Sequence, residues 1–279
     1  MPYSAEISRT NPSCFLFLID QSGSMADPFG GGEGNLKKSD GVADIINRML
    51  QNLVIKCAKE EGIRDYFHVG VLGYGAQVGP AFSGSLTGRQ LVPISEIGNS
   101  PARVEQRNKQ VPDGAGGLVE QAIRFPIWFE PVANGGTPMN SALRQAKAIV
   151  ADWLSQHPNS YPPIVINITD GESTDGDPSG AASDITNLAT ADGNALLFNI
   201  HCSSQRGQPV VFPSTEAGLP DQFAVQLFRM SSSLPSHMAA AAASEGISAG
   251  ESARGFVFNA GMIEIIKALD IGTRPSALR

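Results

Sequence analysis

The sequence predicts an α/β fold built on a mostly parallel sheet with helices on both faces. Three observations carry this. Apolar runs of strand length alternate with longer segments of helical period along the chain. Two of the runs, CFLFLI and PIVINIT, pass directly into an aspartate, Asp20 and Asp170. Each aspartate is followed by a polar, Gly-containing turn, and open α/β sheets place their ligand crevice at the carboxyl ends of strands.

Residues 1–13 form a polar lead-in with the length to add an edge to the sheet. The first strand runs from Cys14 to Asp20, and Ser22 and Ser24 follow at alternate positions around Gly23. The next stretch, ADPFGGGEGNLKKSDG, is a flexible Gly-rich loop holding Asp27 and Glu33, whose plain reading is solvated charge. A helix is expected from Ser39 or Asp40 to about Glu61. Val42, Ile45, Ile46, Met49, Leu53 and Ala58 repeat near 3.6 residues, and Gly62 is a natural stop. A second strand spans Tyr66–Gly75, and His68 within it reads as a core or edge residue.

Gly, Pro and polar residues dominate 76–133, with strands expected at Arg89–Ile97 and Phe125–Phe129 and a charged patch at Ala102–Gln110. A connection this long is uncommon in a compact domain. It reads either as a functional segment or as an elaborated hairpin. Thr137 then precedes Pro138, which suits the first position of a helix, so Thr137 is the expected N-cap. That helix runs to Gln156 with Leu143, Ala146, Ile149, Val150, Trp153 and Leu154 inward. After the Asp170 strand the loop GESTDGDPSGAASD carries Glu172, Asp175 and Asp177 without the order of a calcium loop, so its acids read as solvated.

A helix at Ala181–Thr190 and a strand at Ala195–Cys202 follow, with His201 at its end a candidate for the rim of a site. Pro220 and Pro235 mark two helix starts, the second leading into a close-packed tract at Ala239–Ala243. A last strand at Arg254–Gly261, a closing helix at Met262–Ile271 and a short tail complete the chain.

Asp20, Ser22, Ser24, Thr137 and Asp170 are all hard oxygen donors on three separate turns. That chemistry suits Mg²⁺, Mn²⁺ or Ca²⁺ rather than zinc or copper. The order D-x-S-x-S, then Thr in GGTPM, then Asp in TDG resembles the metal-ion-dependent adhesion site of von Willebrand factor A (vWA) domains. All five ligand positions of that pattern are filled here, over a likeness running from about Cys14 to the end. The resemblance implies a single domain over 1–279 with a doubly wound, Rossmann-like sheet, one antiparallel edge strand and a metal at its top. Against the compact pattern of that family 76–133 reads as an insertion, and TRPSALR, 273–279, reads as a short tail. The implied cofactor is a divalent cation, Mg²⁺ first, with one position open to a Glu or Asp carboxylate of a protein partner. Asp27 is spaced like the adjacent cation site of integrin-type vWA domains, but that site's paired acid is replaced by Pro28.

The segments DQSGSM, GGTPM, TDGES and LFRMSSSLP further resemble bacterial cytosolic vWA proteins linked to tellurium-resistance and stress loci. Such proteins are often encoded beside a PP2C-type phosphatase and a Ser/Thr kinase, or a MoxR-type ATPase. That likeness implies a scaffold or sensor in signalling, stress response or defence.

The net charge of −7 and the pI near 5.1 argue against a general nucleic-acid or anionic-membrane binder. CFLFLI is too short for a signal-peptide core or a membrane span, so a cytoplasmic location is expected. Cys14, Cys57 and Cys202 are odd in number and lack metal spacing, and read as buried free thiols. An enzyme is not expected. An aspartyl phosphatase would need an acid where Ser22 stands, and neither serine lies in a G-x-S-x-G turn. P-loop and G-x-G-x-x-G patterns do not appear. A metal-dependent hydrolase or phosphatase, or a scaffold whose metal only pins loops, remains the alternative.

Overall fold

A computed structural model describes residues 2–29, 36–112, 117–202 and 208–273. Glu33, the glycines around it and the last six residues of the tail lie outside the described residues. In chain order the strands begin with β1 (Ser13–Asp20), β2 (Phe67–Tyr74), β3 (Val78–Pro80) and β4 (Val92–Pro93). They continue with β5 (Arg103–Pro112), β6 (Leu118–Ile127), β7 (Ile164–Thr169), β8 (Leu196–Cys202), β9 (Val210–Val211) and β10 (Phe256–Ala260). The helices are α1 (Lys38–Cys57), α2 (Ile94–Asn99), α3 (Met139–Gln156), α4 (Ser179–Thr186), α5 (Gln222–Met230), α6 (Ser236–Ser244) and α7 (Met262–Gly272).

The main sheet has the order β9-β10-β8-β7-β1-β2-β3, with β4 also paired to β2. Neighbours among the five central strands, from β10 to β2, pair in parallel. Antiparallel pairing is confined to the edges, where β3 and β4 meet β2 and β9 meets β10. The expected doubly wound sheet is thus present. Every residue of β1 is buried, as a strand covered on both faces requires. Phe15, Phe17 and Ile19 join a core with residues of α1, α2, α6 and α7, while Leu16 and Leu18 join a core with residues of α3, α4 and α5. The period-2 alternation of one apolar run therefore fills two opposite layers. The chain winds from β1 outward to β2 and returns to β7 on the other side of β1. This reversal opens a crevice between the carboxyl ends of β1 and β7.

Several boundaries differ from expectation. Helix α1 ends at Cys57, and 58–59 pair back on 62–63 in a tight turn with Gly62 at φ +124°. Lys59, Glu60 and Glu61 are exposed and give a longer helix nothing to bury. The strand expected over Arg89–Ile97 is two residues long and gives way to α2, because Ile94 and Ile97 are buried at helical spacing. Helix α4 stops at Thr186, and 189–190 pair with 193–194 instead. The lead-in is held by the Ser4 and Ala5 N–H groups on the Asp192 carboxylate and by the buried Ile7.

The insertion holds β3, β4, α2 and the β5–β6 hairpin, which has ten residues on each arm. The charged patch lies on its first arm. There Arg107 pairs with Asp44 of α1 and stacks 3.8 Å over Phe125. Phe125, Ile127, Trp128 and Phe129 are buried at its base, where the Asn47 side-chain oxygen accepts the Trp128 and Phe129 N–H groups. The three cysteines are buried free thiols, and burial raises the pKa of each above its usual value, Cys57 to about 12. No helix among the described residues is long and apolar enough to cross a membrane.

Candidate metal centre

Asp20 is the last residue of β1 and is 1% exposed. Its Oδ1 accepts the Ser22 N–H at 2.8 Å and its Oδ2 accepts the Thr169 hydroxyl at 2.7 Å. Burial pushes its carboxyl above the ordinary carboxylate value. The bonds from Ser22 and Thr169 pull it back down, and the nearby Asp170 charge adds to the rise. The first bond folds the turn, which continues as a short 3₁₀ segment over Gly23–Ala26. That turn brings Ser22 Oγ and Ser24 Oγ to 3.0 Å, and Ser24 Oγ donates to Asp170 Oδ1 at 2.8 Å. One chain of hydrogen bonds therefore joins four of the five expected ligands, from opposite sides of the β1/β7 crevice.

The Thr137 turn joins through the backbone of its neighbours Gly135 and Asn134. The Gly23 N–H donates to Gly135 O at 2.9 Å, and the Asn134 N–H donates to Gln21 O at 2.6 Å. These bonds lock the GGTPM turn against the D-x-S-x-S turn. Two glycines make the approach feasible. A Cβ on Gly75 would lie 2.6 Å from both Asn134 O and Gln21 O, and Gly135 holds φ +91° against Ala76. On the other side Thr137 exchanges two bonds with Thr174, each 2.9 Å. Thr137 is buried, and its hydroxyl lies outside the chain of hydrogen bonds that joins the other four.

Two expectations need correction here. Thr137 is not the N-cap of α3, because Pro138 occupies that position without a side-chain cap bond. The cap comes from Asp175, whose carboxylate accepts the Asn140 and Ser141 N–H groups at 3.0 and 2.8 Å. Asp175 is therefore a structural acid rather than solvated charge. Burial opposes its ionisation, but the bonds from Ser141, Ser173 and Asn140 outweigh that and hold its pKa below the usual value. Asp177 likewise accepts the Ser179 N–H at the start of α4.

Lys38 is the residue that sequence reasoning missed. It opens α1 and is 3% exposed, and its Nζ lies 2.5 Å from Asp170 Oδ2. In the sequence it is one of two adjacent lysines in a loop-to-helix junction, and nothing local marks which of them turns inward. A second unforeseen feature lies one layer below. The Tyr74 hydroxyl donates to Asn167 Oδ1 at 2.6 Å, Asn167 Nδ2 donates to Asn199 Oδ1 at 3.0 Å, and Asn199 Nδ2 donates to Ser231 Oγ at 3.0 Å. Asn167 and Asn199 are register partners on β7 and β8. The legible signal was an Asn interrupting each of two apolar runs.

His201 lines a cavity of about 550 Å³ beside Asp170, together with Asp27, Lys38, Phe223 and Phe258. Its ring stacks on Phe258 at 4.6 Å, and burial lowers its pKa. Asp27 is exposed, and its carbonyl accepts the Lys38 N–H at 3.0 Å. His68 accepts the Trp153 Nε1–H at Nδ1, 3.0 Å, a satisfied position at the far end of α3.

The donor chemistry fits a hard divalent cation: two adjacent hydroxyls, a carboxylate bonded to one of them, a second carboxylate behind and a third hydroxyl on a locked turn. Among the described residues no group of three or more His, Cys, Asp or Glu side chains is placed to hold a metal, so a site here has to draw on Ser and Thr.

No family profile and no curated protein matches the chain. Solved structures do. Proximal thread matrix protein 1 from the mussel byssus aligns over 96% of this chain at 12% identity and TM-score 0.49. The ArnB paralog VWA2 from Sulfolobus acidocaldarius aligns over 68% at 13% identity and TM-score 0.34. The vWF domain of the type V pili tip protein Mfa5 from Porphyromonas gingivalis aligns over 58% at 14% identity and TM-score 0.31. The chain spans 48%, 35% and 39% of the length of those three structures respectively. Likeness at this level carries no weight, and the fold rests on the strand order and the two packed faces.

Proposed function

We propose that this protein is a metal-dependent protein-binding module of vWA type, which captures an acidic partner residue at a divalent cation, Mg²⁺ first. The observation that carries the reading is the hydrogen-bonded chain Ser22–Ser24–Asp170, closed from behind by Asp20 and flanked by the locked Thr137 turn. Ser22, Ser24, Thr137, Asp20 and Asp170 would hold the ion. When bound, it supplies a Lewis-acidic position for an anionic oxygen. The protein's own groups do the rest. The Ser22 N–H and the Thr169 hydroxyl hold Asp20 in one orientation, and the Gly135 and Asn134 bonds keep Thr137 beside the serines. Three neutral hydroxyls among the donors leave the ion short of negative charge, which favours a carboxylate from outside.

The cavity next to Asp170 is open to a partner and is bordered by Phe223, Phe258 and His201. A PP2C-type phosphatase, a Ser/Thr kinase or a MoxR-type ATPase is the proposed class of partner, in a bacterial signalling, stress or defence setting. The test is a pull-down from source-cell lysate with wild type and Asp20→Ala, each in Mg²⁺ and in EDTA, with circular dichroism as the check on folding. A partner lost from the folded mutant and from wild type in EDTA is the expected outcome. Retention of the same partner in all four samples would refute the reading.

A further inference from the structure

Lys38 stands where helix chemistry disfavours it. It is the first residue of α1, and a cation there opposes the helix dipole. Its side chain is 4% exposed and that of Asp170 is 1% exposed, so both charges are withdrawn from water. A buried ion pair is weak grounds for a stabilising role, because desolvation offsets the attraction. The placement of this pair is more informative. Ser24 occupies Asp170 Oδ1 and the ammonium occupies Oδ2, so both oxygens of an expected metal ligand are engaged. Asp20 and Asp170 bring two negative charges to the site, and Lys38 supplies one positive charge within it.

We propose that Lys38 is a tethered counter-cation, which balances Asp170 in the metal-free protein and must leave that carboxylate before a divalent ion can bind. The proposal rests on the reading of this site as a divalent-cation centre. Two cations on one buried carboxylate repel strongly where the dielectric is low. The lysine stem has the freedom to move: four carbons carry the ammonium, while the backbone stays fixed by its N–H bond to Asp27 O. The cavity of about 550 Å³ that borders both Lys38 and Asp170 gives the ammonium a place to go, and Asp27 also lines it. Lys38 therefore sets the metal affinity of the site, and the energy of displacing it makes an ion bind more weakly than the five ligands alone would allow.

The test uses Mn²⁺ as the probe on the full chain, with binding read by calorimetry and by the electron paramagnetic resonance signal of free Mn²⁺. Lys38→Met keeps the apolar stem and removes the charge, Lys38→Arg keeps the charge, and Asp170→Ala is the site control. Lys38→Met is expected to bind Mn²⁺ on the order of tenfold more tightly than wild type, a shift of one decade in Kd. Lys38→Arg is expected to stay within a few-fold of wild type. In parallel, acetylation of Lys38 in the wild type is followed by mass spectrometry. It should be slow in EDTA and accelerate at saturating Mn²⁺, and it needs no variant, so it decides the matter if Lys38→Met does not fold. Wild-type binding with no tightening in folded Lys38→Met, or with Lys38 still protected at saturating Mn²⁺, would overturn the displacement and leave the metal centre standing. Absence of Mn²⁺ binding from wild type and folded Lys38→Met alike would overturn the metal centre, and this proposal with it.

Discussion

Two polar constellations lie one above the other, the lower within β7 and β8 and the upper at the carboxyl ends of β1 and β7, and they are built on opposite principles. The lower one, Tyr74–Asn167–Asn199–Ser231, is neutral and fully buried. Asn199 Nδ2 also reaches Leu227 O, which ties the ladder to α5, and Asn167 Nδ2 lies 3.8 Å from Met139 Sδ at the start of α3. The upper one is charged, joins side chains from two turns and the start of α1, and borders an open cavity. The lower network has no group left to offer a ligand. The upper one satisfies its donors and acceptors on each other and on a lysine, and these are bonds a ligand can replace. A sealed neutral ladder holds strands and helices in one arrangement, while a charged cluster above it can exchange partners without disturbing that frame.

The largest effect expected from breaking this contrast is at Asp170. Asp170→Ala leaves the buried Lys38 ammonium without a carboxylate and should cost about 3–5 kcal/mol in metal-free urea unfolding. Adding Lys38→Met to that variant should recover most of the loss. A loss below about 1 kcal/mol would mean that Lys38 reaches water, as an exposed pair does. Next comes the ladder. Asn167→Leu strands the Tyr74 hydroxyl and the Asn199 amide in the core and should cost about 2–4 kcal/mol, with no recovery on removing Lys38. Tyr74→Phe, which removes one donor only, should cost less. If Asn167→Leu and Tyr74→Phe both proved neutral, the ladder would not be the fixed frame described here.

A smaller effect is expected at the Asp175 cap, where Asp175→Ala should cost about 1 kcal/mol. Because this carboxyl is held below its usual pKa, its contribution is present above the unfolded-state value and fades as pH falls through the folded one. Wild type should therefore lose stability in that acidic window faster than Asp175→Ala does, as read by urea unfolding across pH. The smallest effect lies at the other end of α3. Burial, with the charge of His157 adding to it, holds His68 below the ordinary histidine value while Asp65 opposes. The unfolded chain then takes up a proton that the folded chain resists. Stability should fall as pH drops through the unfolded-state histidine value of about 6.5 and level off below the folded one, and the fall should be less steep in His68→Gln.

The fold and most of the turns of the candidate centre were legible in sequence for the same reason. β1 is a buried run ending in Asp20, and its alternation already states that both faces are covered. The serines that follow Asp20 are fixed in space by a bond two residues long, so local sequence suffices to place them. Asp170 was visible at the end of the matching run on β7. The 76–133 segment was less readable because its hairpin is held at its base by long-range contacts, Asn47 to Trp128 and Arg107 to Asp44, which leave no periodic trace. The helix boundaries at Cys57 and Thr186 slipped because short turns after each compete with one more helical turn at little difference in energy.

By itself the sequence determined the parallel α/β architecture, the oxygen donors and the three turns that carry them, because strand period, turn chemistry and adjacency all act within a few residues. Tertiary structure alone decided that Asp175 rather than Thr137 caps α3, that Asn167 meets Asn199 and Tyr74 across the sheet, and that Lys38 turns inward onto Asp170. Each of those depends on which distant group fills a buried vacancy of charge or hydrogen bonding. That choice is made only when the sheet closes and water leaves.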